Sequence, residues 1–144
     1  MTPSHPLAWQ QGFTCGVAEI DEQHQILVDL LNVAAVRRRS EPGVEMVRRL
    51  VMDFLDYALF HFETEEFLMQ CHGYAESEPE EATRHLEQHR LASLKMAAAR
   101  DTLRAGETVP LDELIGFLRE WLEQHIPGTD LELCAFLRKV RDMS

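Results

Sequence analysis

Seven side chains with the chemistry of metal ligands recur along the chain: His24, His61 with Glu65, His85 with His89, and His125 with Asp130. Imidazole nitrogens and carboxylate oxygens gathered at one point suggest a bound metal. His61/Glu65 and His85/His89 are each spaced i, i+4, which puts both members of a pair on one helix face, one turn apart. His125 and Asp130 pose a harder geometric problem. On an unbroken helix, at about 100° per residue, they would stand roughly 140° apart. Pro127 and Gly128 lie between them. Proline has no N–H to continue the hydrogen-bond ladder, and glycine accepts backbone angles that other residues avoid. The expectation is that one helix ends near His125, the chain turns, and Asp130 returns to the same point.

No one of these signals decides anything, because a single histidine on an apolar stripe is usually a hydrogen-bonded core residue. The set is what carries weight. Burying five imidazoles and two carboxylates without partners would cost on the order of several kcal/mol each. A bound metal removes that cost.

The elements that must position these residues follow from apolar periodicity. Residues 1–17 hold Pro3, Pro6, Gly12 and Gly16 and read as an irregular arm, pinned to the body by Trp9 and Phe13. Helix A is expected over about 18–38, with Ile20, His24, Leu27 and Leu31 on one face. Arg37-Arg38-Arg39 caps its C-terminus as a solvated basic run, and Ser40-Glu41-Pro42-Gly43 makes a turn. Helix B runs over about 44–71, with Val47, Leu50, Phe54, Ala58, His61, Glu65 and Leu68 facing inward. Gly73 stops it, residues 73–77 form a loop, and Ser77-Glu78-Pro79-Glu80 reads as a capping box. Helix C spans about 78–105, with Ala82, His85, His89, Ala92, Met96, Ala99 and Leu103 inward. Pro110 opens helix D, about 110–126, whose inner face holds Leu111, Leu114, Leu118, either Trp121 or Leu122, and His125. A short helical tail covers about 130–142. The result is an all-α, antiparallel up-down-up-down four-helix bundle forming a single domain over 1–144.

Composition narrows the function classes. The formal net charge of −11 argues against nucleic acid or an anionic membrane as partner. No apolar run approaches the roughly 18 residues needed to cross a bilayer, and the first residues lack the basic and apolar regions of a secretory signal. Cys15, Cys71 and Cys134 are odd in number and show no CxxC spacing, so the expectation is three mostly buried thiols in a reducing cytoplasm. His5 and His72 fall outside the candidate segments and are expected to face solvent. The chain has no GxSxG motif, no Gly-rich phosphate loop and no supported Cys/His pair.

Four segments carry a resemblance to a known family: Ile20-Asp21-Glu22-Gln23-His24, His61-Phe62-Glu63-Thr64-Glu65-Glu66, His85-Leu86-Glu87-Gln88-His89, and Trp121-Leu122-Glu123-Gln124-His125-Ile126 through Asp130. In these segments and their spacings the chain resembles the hemerythrins, the single-domain bacteriohemerythrins in particular. The resemblance implies a non-heme di-iron site with an oxo or hydroxo bridge. His85, His89 and His125 would hold one iron, His24 and His61 the other, and Glu65 and Asp130 would bridge the two. The first iron then has a full octahedron and the second keeps one open position, where dioxygen would bind. The implied activity is reversible two-electron oxygen binding, in which both ferrous ions become ferric, in a carrier, store, scavenger or sensor rather than an enzyme. Phe62, Trp121, Leu122 and Ile126 are candidates to line a dry oxygen pocket, and Glu66 a candidate to orient an imidazole from behind the ligands. Leu133 and Ala75 depart from residues common in the family, which bears on the packing of the tail and of the loop after helix B. The alternatives are a di-iron peroxidase or oxidase on the same site, an iron-storage protein, and a purely structural bundle.

Overall fold

The computed structural model describes residues 14–40 and 44–142. The arm before residue 14, with Trp9 and Phe13, lies outside them, as do the turn at 41–43 and the side chains of Arg38 and Arg39. Helix α1 spans Ala18–Ser40, α2 Val44–His72, α3 Tyr74–Ser77, α4 Pro79–Arg104 and α5 Leu111–His125; a kinked turn at Ile126–Asp130 leads into α6, Leu131–Asp142. The four long helices α1, α2, α4 and α5 form an all-α bundle. Their short connections make successive helices antiparallel. Helix α1 packs on α2 and α5, and α2 packs on α4.

The bundle holds together because each long helix buries one apolar stripe. Leu27, Leu31, Phe54, Leu55, Met96, Leu118 and Leu122 belong to the larger core cluster, together with Phe62 and Ile126. A smaller cluster gathers Cys15, Val17, Ile20, Leu68, Tyr74, Ala82, Leu133, Cys134, Phe136 and Leu137. Between the two, every helix changes character. His24 falls between Ile20 and Leu27, Glu65 between Phe62 and Leu68, His85 and His89 between Ala82 and Ala92, and Asp130 between Ile126 and Leu133. A polar layer therefore crosses an otherwise apolar interior at one level.

Two local expectations need correction. Residues 74–77 form a short helix rather than a loop, because Tyr74 is buried against Phe136, with ring centroids 5.0 Å apart. The capping box does not form: Ser77 is used up in that extra turn, its N–H bonding the Gly73 carbonyl at 3.0 Å. Helix α4 begins instead with Pro79 in its first turn and no side-chain cap. Gly73 itself takes the left-handed conformation, with φ 68°, that lets α2 stop there.

The cysteine reading is also overturned. Cys15 and Cys134 form a disulfide, and Cys71 is free and exposed. The end of the N-terminal arm lies on α6, so two cysteines 119 residues apart in sequence meet. No spacing rule could have paired them, and the inference from free thiols to a reducing cytoplasm loses its footing. Among the described residues, no helix is long and apolar enough to cross a membrane.

Candidate metal centre

The chain after α5 solves the His125/Asp130 problem as the sequence leads one to expect: α5 ends at His125, the backbone turns, and Asp130 comes back to the same point. The break falls at Gly128, where φ −102° and ψ −108° are not helical, and α6 follows from Leu131. Here the turn sets His125 Nε2 2.9 Å from Asp130 Oδ1.

The seven sequence-predicted ligand residues all reach one point. His24, His61, Glu65, His85 and Asp130 have no exposed surface, His89 is 1% exposed and His125 4%. All five histidines present Nε2 to the two carboxylates. Asp130 faces two ways: Oδ1 lies 2.9 Å from His85 Nε2, and Oδ2 lies 2.7 Å from His24 Nε2. Glu65 Oε1 lies 3.0 Å from His89 Nε2 and 3.3 Å from His61 Nε2. The ligand-type atoms fall into two groups, each within 4.8 Å: Glu65, His85, His89, His125 and Asp130, and His24, His61, Glu65 and Asp130. The two carboxylates belong to both.

Whether a cation fits can be judged from the bonds these atoms do not make. His85 Nε2, His125 Nε2, Glu65 Oε2 and Asp130 Oδ1 are buried without a hydrogen-bond partner. Two of those imidazole nitrogens are only 2.9 Å from Asp130 Oδ1, yet off the bonding direction. Their lone pairs aim at shared space rather than at each other. His24 Nε2 and His61 Nε2 approach to 3.2 Å, a contact that needs a proton or a cation between the nitrogens. Buried polar groups left this way are costly. The donor set fits bound metal.

Electrostatics agree. Burial alone would strip the proton from His61, but the Glu65 charge and the bond to Asp130 push its pKa up to about 10. For His85 the same opposition, won by the bonds to Asp130 and Glu65, gives about 9. Burial also works against the proton on His125, and the Asp130 charge raises its pKa nonetheless. Burial and mutual repulsion oppose ionisation of Glu65 and Asp130, yet the surrounding imidazoles hold both well below the usual carboxylate range. Without metal, protons occupy the positions where cationic charge belongs.

A second ring of residues fixes the imidazoles from behind. His61 Nδ1–H donates to Gln23 Oε1 at 2.8 Å, Gln23 Nε2 donates to Thr64 Oγ1 at 3.1 Å, and Thr64 donates to the Phe60 carbonyl at 3.2 Å. His89 Nδ1–H donates to Glu66 at 2.8 Å, and His125 Nδ1–H to Gln88 Oε1 at 3.2 Å, an oxygen that also accepts from Thr129 at 2.9 Å. These partners set which nitrogen of each ring faces the centre. Glu66 was weighed in the sequence; Gln23, Thr64, Gln88 and Thr129 were missed. The signal was present as the triplet Glu-Gln-His, repeated at 22–24, 87–89 and 123–125. In two of the three copies the glutamine serves a histidine on the neighbouring helix, which sequence spacing cannot show.

The four candidate pocket residues all lie close by. Phe62 stacks on His89 with ring centroids 4.4 Å apart, and Trp121 stacks on His125 at 4.5 Å. Leu122 and Ile126 are wholly buried, whereas Trp121 is half-buried. Leu122 thus takes the inward position that the sequence left open between the two. His72 is half-buried rather than solvent-facing.

Residues 15–137 match the model of the hemerythrin HHE cation binding domain. The chain belongs to the hemerythrin family. It is 32% identical over 124 residues to a bacteriohemerythrin of Pseudomonas paraeruginosa, covering 86% of this chain and 76% of that one. It is also 32% identical over 122 residues to a bacteriohemerythrin of Methylococcus capsulatus, covering 82% and 86%. A hemerythrin-like protein of Naegleria gruberi is 29% identical over 127 residues, 88% of this chain and 90% of that one. No solved structure gives a significant match. The matched model is that of a cation binding domain, and the buried cluster is where these residues could hold a metal ion.

Proposed function

We propose that this hemerythrin-family chain binds dioxygen reversibly at a di-iron centre and serves as an oxygen carrier, store, scavenger or sensor rather than an enzyme. His85, His89 and His125 would hold one iron and His24 and His61 the other, with Glu65 and Asp130 bridging them together with an oxo or hydroxo group. The observation that supports this most is the division of the ligand-type atoms into a three-histidine and a two-histidine group that share both carboxylates. Two ions with unequal protein ligand sets leave the two-histidine ion with one more position for an external ligand.

When bound, the iron pair supplies the two electrons that oxygen binding needs and recovers them on release. The protein's own contribution is orientation and dryness. Gln23, Glu66 and Gln88 hold His61, His89 and His125 in the tautomer that bares Nε2. Phe62, Leu122 and Ile126, at 2%, 0% and 0% exposure, keep bulk water from the site. Trp121 stacks on the ring of His125 at 4.5 Å.

The runner-up is an oxygen-activating or peroxide-consuming enzyme. Ferritin-like di-iron enzymes use a Glu from each of two helices and a Glu-x-x-His from each of the other two. Five histidines against two carboxylates is a nitrogen-rich set, which favours keeping bound oxygen over cleaving it. The test is optical. Oxygen-free ferrous protein should gain a visible charge-transfer band on aeration and lose it when oxygen is removed. A band that forms once and never reverses, or turnover of peroxide with an added reductant well above that of free iron, would move the assignment to the enzyme.

A further inference from the structure

The outer faces of the five imidazoles are not treated alike. His61 and His125 donate to neutral amide oxygens, of Gln23 and Gln88, at 2.8 and 3.2 Å. The Nδ1 atoms of His24 and His85 are buried with no hydrogen-bond partner. His89 alone donates to a carboxylate, Glu66 Oε2, at 2.8 Å. Among the described residues, Glu66 is therefore the one charged acceptor behind a ligand-type ring, and it stands behind the three-histidine group. It comes from α2, one position after Glu65, so a single helical turn delivers a carboxylate to each nitrogen of the same imidazole: Glu65 to Nε2 at 3.0 Å and Glu66 to Nδ1 at 2.8 Å. Phe62, stacked on the His89 ring, stops it from rotating out of that grip.

A charged acceptor does two things to a metal-ligating imidazole. It fixes the tautomer, and it raises the basicity of the nitrogen that faces the metal. Glu66 is 45% exposed at its side chain, so water weakens but does not abolish the effect.

We propose that Glu66 is a positioning residue that makes the centre electronically uneven, strengthening the hold of the three-histidine group on its ion and favouring the higher oxidation state there. Its carboxylate acts through His89 and touches neither ion nor oxygen. The two-histidine group, backed by one neutral amide and one unpartnered ring, is then the weaker and more exchangeable half. The inference rests on the di-iron reading given above.

The experiment compares Glu66→Gln, which keeps an acceptor and removes the charge, with Glu66→Leu, which removes both. Iron-loaded protein is challenged with a chelator, and its reduction potentials are followed by spectroelectrochemistry; circular dichroism of the metal-free proteins confirms the fold. Wild type should lose its two irons in two phases. Glu66→Leu should speed the slower phase by about 10–100-fold and leave the faster one in place. Glu66→Gln should lie between, and should raise the potential of the same ion although the hydrogen bond survives. A reverse change, Gln23→Glu, should slow the faster phase. A single release phase in wild type, equal acceleration of both phases, or unchanged potentials in Glu66→Gln would overturn the proposal. Wild-type protein that takes up other than two irons would overturn the functional reading instead, before any variant is made.

Discussion

Metal uptake should expel protons, at least the two carried by His61 and His85. In the metal-free fold His61 and His85 stand at pKa values of about 10 and about 9. At pH 7 both are protonated. Glu65 and Asp130, held well below the ordinary range, are already ionised and release nothing. A histidine binds metal only through a bare nitrogen, so loading must displace the protons on both rings. Each displaced proton multiplies the apparent affinity about tenfold per pH unit. Two make about a hundredfold per unit between about pH 6.5 and 8, a slope that flattens as pH nears 9 to 10. Titrating the metal-free protein with Co²⁺ by calorimetry, in buffers of different ionisation enthalpy, counts the protons directly. An affinity that is flat with pH, with no buffer-dependent heat, would refute the reasoning. Fold stability without metal follows the same linkage. The raised histidines stabilise below their unfolded pKa of about 6.5, and that contribution is lost as pH rises through about 9 to 10. The depressed carboxylates stabilise above about pH 4.5, and theirs is lost on acidification. Metal-free protein should be most stable between those limits, the metal-bound form at higher pH.

Other perturbations give independent checks. Asp130→Asn keeps the shape and removes a charge that faces His24, His61, His85 and His125; it should abolish loading of at least one iron and destabilise the metal-free fold by about 3–5 kcal/mol in denaturant titration. Reducing the Cys15–Cys134 disulfide, or replacing both cysteines by serine, opens a loop of 119 residues and should cost on the order of 5 kcal/mol by chain entropy, read from the denaturation midpoint; a change under about 1 kcal/mol would show that the arm contributes little. Gly16→Ala should cost about 1–3 kcal/mol, because φ there is +89° and a Cβ would sit 2.8 Å from Arg138 Cδ; an unchanged thermal midpoint would mean that the segment next to the disulfide repacks freely.

The bundle was legible because four stretches repeat apolar residues at helical spacing long enough to be unmistakable. Phe54, Leu118 and Met96 are buried for the reason their positions advertise. The centre was legible for a related reason: five histidines and two acids on apolar stripes are residues that burial would otherwise penalise. What stayed hidden is tertiary. Cys15 and Cys134 are paired by a docking of chain ends that no local pattern encodes. Helix α3 is four residues long, too short for a period to show, and is made by burying Tyr74. Gln23 and Gln88 look like ordinary solvent-facing residues in sequence, and only the approach of a neighbouring helix turns each into the partner of an imidazole. At 126–130 the sequence showed that the chain must deviate, and Pro127-Gly128 said where. The structure has that break, at Gly128, and α6 resumes at once because Leu133, Cys134 and Leu137 are wholly buried.

On the proposed reading, seven inward-facing ligand-type residues in two groups that share both carboxylates would hold two ions. Elemental analysis of the intact protein, loaded anaerobically with ferrous iron and freed of loosely held metal, measures this directly. The account predicts two irons per chain, falling to one or none when Glu65 or Asp130 is replaced. One iron per chain in the wild-type protein, or two that survive replacement of both Glu65 and Asp130, would contradict it.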